Sequence, residues 1–356
     1  MKTMLLIAED MRLIVDKIGR DHVMRRIIEQ LTADLRRSFE GAPFASPSRA
    51  GFEWDIPARG VLEWMPHRRA GDSATVKLIS YSPANPDEFR LPTILGTIAR
   101  IDDLTGRTTV LADALLLTAL RTGAASAIAS RVLASPESHV IGVVGTGAQA
   151  VTQIHALSLL FPITQVLAWD TALAHLASFA NRVAFLGLDV RPAAPEDVLS
   201  QADIICTATS VGVGAGPVLP DEKWKDHLHV NAVGADLIGK TEPPRALLDA
   251  ALVFPDHREQ AATEGECQQL PPHRIGPSLD ELCARPEAFQ DAVGRLTVFD
   301  STGFALEVHS ALDVFVEAAE ELGLGTDLAF ECRPQDPLDR FSRHLDPGGS
   351  PDSLRA

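Results

Sequence analysis

The chain has 356 residues, about twice the usual length of one domain, which predicts two domains or one large one. Apolar residues make up 46% of it and charged residues 22%, a globular composition that excludes a disordered, collagen-like or coiled-coil chain. The formal net charge of −16 argues against a protein that neutralises a phosphate backbone, so we expect no nucleic-acid partner.

Membrane insertion and export are not expected either. No run of 18 apolar residues occurs, and the N-terminus turns acidic after a very short apolar stretch. We therefore expect a cytoplasmic protein with no membrane partner. The cysteines are widely separated and form no zinc-binding spacing, so we expect no metal and four reduced thiols, at Cys206, Cys267, Cys283 and Cys332.

The first third of the chain predicts an α+β unit. From residue 1 to about residue 45, apolar residues recur at spacings of three and four, which is typical of helices. Short apolar runs between residues 51 and 110 predict strands, with a hairpin loop at residues 102–106. Residues 115–133 are rich in alanine and predict a long helix that Pro136 terminates.

Beyond this helix, strands and helices alternate, which predicts βαβ units and a parallel sheet. The predicted strands are residues 140–145, 165–170, 203–208, 229–233, 251–254 and 297–300, and predicted helices begin near residues 148 and 173 and cover residues 305–322.

The strongest motif lies where the first of these strands meets its helix. The sequence there is Gly145-Thr146-Gly147-Ala148-Gln149-Ala150, a G-x-G-x-x-A pattern. Gly145 permits a tight turn, Gly147 lets a pyrophosphate approach the backbone, and Ala150 allows close packing of helix on strand. Because the N-terminus of a helix also attracts phosphate, the pattern predicts a dinucleotide site.

An acid at the end of the next strand indicates which dinucleotide binds. Asp170 lies 25 residues after Gly145, near the spacing of ~20 expected for a ribose-binding carboxylate. It should accept both ribose hydroxyls and repel a 2′-phosphate, and Thr171 after it supplies no cation. NAD is therefore favoured over NADP, with a simple turn residue as the alternative.

Several charged residues stand in apolar or small-residue surroundings. Arg49, Glu63, Lys77 and Arg121 are of this kind, and a buried cation needs either an ion pair or an anionic ligand. Taken singly, each also fits an ordinary surface position. Asp236 follows the strand at residues 229–233, where it either faces the nicotinamide as an acid or base or caps a turn.

A series of motifs between about residues 5 and 330, all in one order, resembles the ornithine cyclodeaminase/μ-crystallin family. They are residues 63–66, 76–77, 91–93, 118–126, 145–150, 234–236, 239–242 and 299–305. Within that family, residues 65–68, 81–86, 93–97 and 264–270 look like the lysine-specific members.

The resemblance implies an α/β fold. A Rossmann-type NAD-binding domain, residues 131–309, would be inserted in an α+β substrate-binding and dimerisation domain formed by residues 1–130 and 310–356. It also implies a homodimer with tightly held NAD and a small amino-acid substrate.

The resemblance further implies roles for single residues. Asp236 and Lys77 would be catalytic, and Arg49, Glu63, Lys77, Thr93 and Arg121 would bind the substrate. The cofactor would be bound by Gly145, Thr146, Gly147, Ala148, Gln149, Ala150, Asp170, Thr171, Thr207, Ala208, Thr209, Val233, Gly234, Lys240 and Ser301.

The implied activity is that of an ammonia lyase that converts L-lysine to L-pipecolate through internal oxidation, cyclisation and reduction. Conversion of L-ornithine to L-proline is the nearest alternative, because one methylene is worth only ~1–3 kcal/mol in a pocket whose expected walls are Val61, Ile94 and Leu237. An NAD(P)-dependent amino-acid dehydrogenase or imine reductase, and a non-catalytic binding protein of the μ-crystallin type, are further alternatives.

Overall fold

The computed structural model describes residues 2–54, 60–331, 334–339 and 341–342. In chain order, the first part of the molecule consists of β1 (Thr3–Leu6), α1 (Ala8–Ile18), α2 (Arg20–Phe39), β2 (Phe44–Ala45), β3 (Ala50–Trp54), β4 (Gly60–Arg69), β5 (Ser73–Tyr81), α3 (Asn85–Glu88), β6 (Ile94–Asp102), β7 (Thr108–Asp113) and α4 (Leu115–Leu133).

The second part consists of β8 (Val140–Val144), α5 (Ala148–Ser158), β9 (Gln165–Trp169), α6 (Leu173–Arg182), β10 (Asp189–Pro192), α7 (Pro195–Gln201), β11 (Ile204–Thr207), β12 (His229–Ala232), α8 (Arg245–Ala250), β13 (Leu252–Pro255), α9 (Arg258–Glu264), α10 (Leu279–Ala284), β14 (Thr297–Asp300), α11 (Ala305–Leu322) and β15 (Thr326–Leu328).

The first sheet is mixed and has the order β15-β1-β7-β6-β5-β4-β2, with β3 also paired to β4. Its pairs are antiparallel except for β1 with β7. Successive side chains of a strand point to opposite faces, so β4 and β5 alternate between buried and exposed positions. The inner face of these two strands packs against α11.

The second sheet is entirely parallel, with the order β10-β9-β8-β11-β12-β14-β13. Its central strands are almost completely buried, which fits a sheet covered on both faces. The chain changes direction across the sheet between β8 and β11, and this switch point is where open α/β sheets bind ligands. The predicted α/β class with a Rossmann-type unit is therefore confirmed.

The local predictions miss several elements, and β1 and β10 show the reason. Residues 3–6 form β1 rather than helix, because this short segment pairs with both β7 and β15 and buries Leu6 completely. The second error is the omission of β10, an edge strand with mostly exposed side chains and no apolar run to mark it. In both cases pairing with neighbouring strands outweighs the local pattern.

The predicted domain division at 130/131 falls inside α4, and that at 309/310 falls inside α11. Both helices contact elements of the first unit, and α4 also packs on α5. The division itself stays a prediction, and residues 343–356 lie outside the described part of the chain.

The described residues contain neither a membrane-spanning helix nor a cluster of metal-ligating side chains. No helix there is long and apolar enough to cross a membrane. Nor is there a group of three His, Cys, Asp or Glu side chains that could hold a metal ion. Cys206, Cys267 and Cys283 are buried free thiols, whereas Cys332 lies outside the described residues.

Candidate active site

The glycine-rich turn between β8 and α5 has the shape of a phosphate cradle. Gly145 has φ 89°, and a Cβ atom there would lie 2.6 Å from the carbonyl oxygen of Ala208. A Cβ atom on Gly147, by contrast, would have no atom of the described residues within 4 Å, apart from its chain neighbours. No side chain among the described residues caps the N-terminus of α5. The open space and the uncapped N–H groups fit a pyrophosphate.

Asp170 is held beside this turn by three hydrogen bonds. The backbone N–H and the hydroxyl of Thr146 donate to its Oδ2 at 2.7 and 2.8 Å. The N–H of Ala172 donates to its Oδ1 at 2.8 Å. The carboxylate is thus fixed at the end of β9, while the neighbouring Thr171 is exposed.

Most of the other predicted cofactor residues follow the C-terminal ends of neighbouring strands: Thr207, Ala208 and Thr209 at β11, Val233 and Gly234 at β12, and Ser301 at β14. Two residues of the motif point elsewhere. Gln149 donates its amide to the carbonyl oxygen of Ala119 in α4, and Ala150 is fully buried under the helix.

A residue without an assigned role, Glu242, ties these strand ends together. Its carboxylate accepts hydrogen bonds from the Thr207 hydroxyl at 2.6 Å, the Thr209 N–H and hydroxyl at 2.8 and 2.7 Å, and the Gly234 N–H at 2.8 Å. Burial raises its pKa, although these donors oppose the shift. In the sequence, Glu242 stands out only as the last residue of the Gly-Lys-Thr-Glu motif. The spacing of that motif does not show which groups donate hydrogen bonds to it.

Arg49 stands directly before β3 and is surrounded by acids. Its Nε lies 2.5 Å from Oε1 of Glu264 and 3.5 Å from Oε1 of Glu63, and its Nη2 donates to the carbonyl oxygen of Asp236 at 3.0 Å. All three charged side chains of this cluster are largely buried. Glu63 reaches Arg49 because β3 pairs with β4 in register, Gly51 opposite Glu63.

Lys77 lies on the inner face of β5. It shares this face with Ile79, two residues further along β5, which pairs with Glu63 of β4. It is 1% exposed, and no ion pair with it is found within the described part of the chain. Burial and the neighbouring guanidinium groups of Arg121 and Arg49 hold the pKa of Lys77 well below its ordinary value. An anion bound between these cations would offset that cost.

Arg121, on α4, forms a buried ion pair with Glu307 at the start of α11. Burial raises the pKa of Glu307 to about 7, although the Arg121 charge opposes the shift. The Arg121 Nε and the Glu307 Oε1 atoms have no hydrogen-bond partner among the described residues. Unsatisfied buried atoms of this kind mark a place where a ligand can complete the bonding.

Asp236 lies next to Arg49, on the loop after β12. Its Oδ1 accepts a hydrogen bond from Nζ of Lys240 at 2.8 Å, and its side chain is 42% exposed. The Lys240 ammonium also lies 5.5 Å from the ring centroid of Tyr81. Burial lowers the pKa of Lys240 and the Asp236 charge raises it, with a net increase. Lys240 therefore contacts Asp236 and Tyr81 in this structure.

The structure brings the predicted site residues together in two groups, one at the cofactor cradle and one around Lys77. Thr93 is the exception. Arg49 precedes β3, and Glu63 and Lys77 lie on β4 and β5. Arg121 lies on α4, and Asp236 lies on the loop after β12. Thr93 is half-buried before β6, where its carbonyl oxygen accepts the Ser82 N–H. Among the described residues, no hydrogen bond joins the Thr93 side chain to the charged group.

Glu264 and Glu307 are charged residues of the pocket that the sequence did not identify as site residues. Each pairs with an arginine far away in the chain, Glu264 with Arg49 and Glu307 with Arg121. Burial raises the pKa of Glu264 to about 7, with the Arg49 charge opposing and the Glu63 and Asp236 charges adding to the shift. Acidic residues inside otherwise apolar or small-residue segments were the available signal.

A dinucleotide cradle at the switch point of a parallel sheet, beside a cluster of largely buried cations and acids, defines a class of protein. It is a dinucleotide-binding enzyme whose charged residues suit a small ligand with groups of both charges. Sequence comparison gives the particular group: the chain belongs to the ornithine cyclodeaminase/mu-crystallin family, whose model matches residues 8–322.

Individual relatives are similar over nearly the whole chain. An L-lysine cyclodeaminase of Streptomyces rapamycinicus is 48% identical over 96% of this chain and 100% of its own length. A lysine cyclodeaminase whose structural study concerns recognition of L-lysine, L-ornithine and L-2,4-diaminobutyric acid superposes with a TM-score of 0.94, at 55% identity, over 96% of this chain and 99% of the other. An archaeal alanine dehydrogenase dimer with bound NAD superposes with a TM-score of 0.82, at 28% identity, over 93% and 100% of the two chains.

Proposed function

We propose that the protein is an NAD-dependent cyclodeaminase that converts L-lysine into L-pipecolate and ammonia. The observation that carries the proposal is the convergence of Lys77, Arg121 and Arg49 with Asp236 in one pocket. The 48% identity to a relative named L-lysine cyclodeaminase supports it.

The three cations bind the substrate carboxylate. Lys77 is the central one, because it is buried near two guanidinium groups and forms no ion pair with any carboxylate among the described residues. An incoming carboxylate stabilises the charged form of Lys77 and fixes the α-carbon with respect to the cradle. Glu63, paired with Arg49, borders the same group of charges. The resemblance to the family assigns Thr93 to the substrate as well, and we propose Val61, Ile94 and Leu237 as the apolar walls.

The cofactor is NAD, held by the turn at residues 145–150, by Asp170 and Thr171, and by the strand ends that carry Thr207, Ala208, Thr209, Val233, Gly234 and Ser301. Lys240 lies at the edge of this group. When bound, NAD accepts hydride from the substrate α-carbon and returns it to the cyclic imine, so the net redox change is zero.

Asp236 acts as the base for the α-amine. Hydride can leave the α-carbon only when the α-nitrogen is neutral, and Asp236 is placed to accept the proton. Lys240 holds the Asp236 carboxylate in orientation through the 2.8 Å hydrogen bond. The substrate's own side-chain amine then attacks the α-imine, an intramolecular step that proximity favours strongly. The pocket must exclude water, since hydrolysis of the imine would release a 2-oxo acid.

The test is incubation of the purified protein with catalytic NAD⁺ and either L-lysine or L-ornithine. Ammonia, the cyclic amino acid and NADH absorbance are followed together. Equal amounts of pipecolate and ammonia without accumulation of NADH are expected from L-lysine. Proline from L-ornithine at higher kcat/KM would make the protein an ornithine cyclodeaminase, and stoichiometric NADH would make it a dehydrogenase.

We further propose a homodimer that forms through the outer face of the mixed sheet. Phe52, Trp64 and Leu78 share this face, are 56%, 39% and 44% exposed, and lie on three adjacent strands. Apolar side chains grouped in this way mark an interaction surface. Replacement of Trp64 and Leu78 by glutamate is expected to give monomers in sedimentation velocity, whereas an unchanged dimer would move the interface elsewhere.

A further inference from the structure

The proposed reaction needs more proton transfers than Asp236 can supply. The diamino acid enters with two ammonium groups, and each must become a neutral amine at a different step. Asp236 serves the α-nitrogen and is already bound to Lys240. A second carboxylate in the same pocket is therefore required for the side-chain nitrogen, and two glutamates border it, Glu63 and Glu264.

Glu264 has the better position. It is the last residue of α9, and α9 is anchored against the end of β14 by Gln260, whose amide donates to the Thr302 hydroxyl and the Gly303 carbonyl at 2.8 Å each. Its side chain is only 14% exposed. The carboxylate is thus held on a fixed platform, beside Arg49 and within electrostatic range of Asp236.

The contact between Glu264 and Arg49 also explains how such a base stays available. Glu264 accepts a hydrogen bond from the Arg49 Nε at 2.5 Å, and a substrate carboxylate would compete for the same donor. Once the substrate carboxylate engages Arg49, the Glu264 oxygen atom is released into the pocket. Substrate entry and release of the base are then one event.

Resting on the proposed function, we propose that Glu264 is the acid–base residue for the side-chain amine during cyclisation. Its carboxylate accepts a proton from the side-chain ammonium. The neutral nitrogen attacks the imine carbon and forms the new C–N bond. Glu264 then gives its proton to the α-nitrogen and takes a second proton from the ring nitrogen.

The cycle closes when the C–N bond to the α-nitrogen breaks. Ammonia leaves with the electron pair of that bond, and the ring nitrogen forms the cyclic imine. Glu264 passes its proton to the departing ammonia and is again a carboxylate. A carboxyl group with a pKa of about 7, raised first of all by burial, can take up and give back a proton at neutral pH.

The experiment separates cyclisation from the final reduction. Glu264→Gln keeps an oxygen acceptor for Arg49 but cannot carry a proton. Two rates are measured on the full-length protein: ammonia release from L-lysine, and reduction of NAD⁺ by L-pipecolate, which is the last step in reverse and involves no open-chain amine. We expect the first rate to fall by ~10²-fold or more and the second to stay within about threefold.

Matched variants exclude a structural explanation. Glu259→Gln changes an exposed acid on the same helix and should alter neither rate. Glu63→Gln tests the competing glutamate, and the same split in that variant instead of Glu264→Gln would overturn the proposal. An equal loss of both rates in Glu264→Gln would also overturn the proposal, because Glu264 would then only position Arg49. Failure of the wild type to release ammonia from L-lysine would instead refute the proposed function.

Discussion

The parallel sheet contributes main-chain groups and small side chains to the site, whereas the mixed sheet contributes long charged side chains. At the parallel sheet the two acids, Asp170 and Glu242, are each fixed by N–H and hydroxyl donors from nearby strand ends. On the substrate side, Arg49 before β3 and Arg121 on α4 pair with acids from distant parts of the chain.

The difference reflects what each half of the site must recognise. A pyrophosphate is recognised by backbone geometry, which a short contiguous motif can specify. A small zwitterion with an additional amine is recognised by separate charges, which only tertiary packing can bring together. We therefore expect a change of backbone conformation to do most damage in the cofactor half, and a change of charge to do most damage in the substrate half. The following experiments test that contrast.

The largest effect is expected at Lys77. Lys77→Met removes the central cation, and kcat/KM for L-lysine should fall by ~10³-fold, because the substrate carboxylate loses a buried charge-assisted bond. The free energy of unfolding should rise by ~1 kcal/mol, since an unpaired buried ammonium is replaced by an apolar chain of similar size. Ammonia release and urea unfolding measure the two quantities.

The dissociation constant for NAD, measured by calorimetry, serves as the control in Lys77→Met. It should remain within twofold, because Lys77 belongs to the other sheet. A loss of NAD affinity as large as the loss in kcat/KM would contradict the assignment of Lys77 to the substrate half of the site.

A smaller effect is expected at Asp170. Asp170→Ala should reduce the preference for NAD over NADP by ~10²-fold, since it removes an acceptor for the ribose hydroxyls and the repulsion of a 2′-phosphate. Kinetics with each cofactor give the ratio. Asp189→Ala, at an exposed acid paired with Arg191, should leave it unchanged. An unchanged preference in Asp170→Ala would remove Asp170 from the cofactor site.

The two glycines of the turn separate folding from binding. Gly145→Ala puts a side chain at φ 89° and against the Ala208 carbonyl, so the free energy of unfolding should fall by ~2 kcal/mol. Gly147→Ala meets no protein atom, so stability should hold while NAD affinity falls about tenfold. Thermal unfolding and calorimetry, done on both variants, check the pattern. Equal stability losses would contradict it.

The smallest effect concerns His229, buried in β12. Burial lowers its pKa from 6.5 to about 4. Above pH 6.5 the imidazole is neutral in both states; below it, the unfolded chain takes up a proton that the folded chain refuses, so stability falls with pH. Between pH 6.5 and 5.5, the free energy of unfolding of His229→Asn should fall by about 1 kcal/mol less than that of the wild type. Urea unfolding measures both. Parallel curves for the two proteins would exclude this account.

The sequence predicted the parallel sheet and its cradle well because their signals are local: an apolar strand, a glycine turn and an acid after the next strand. It predicted β1 as helix because its pairing partners, β7 and β15, lie about 100 and 320 residues away. The same limitation applies to the pocket. Arg49 was recognised as a cation in need of a partner, but Glu264 could be named as that partner only from the folded chain.

The pairing of β1 with β15 has a consequence for biosynthesis. Thr3 lies opposite Leu328, so the mixed sheet joins the first and the last of the described strands. During translation, the edge of β1 next to β15 stays unpaired until residues 326–328 have left the ribosome, whereas the parallel sheet, complete by residue 300, can form earlier. The closing of so long a loop is expected to be a late and slow event in folding.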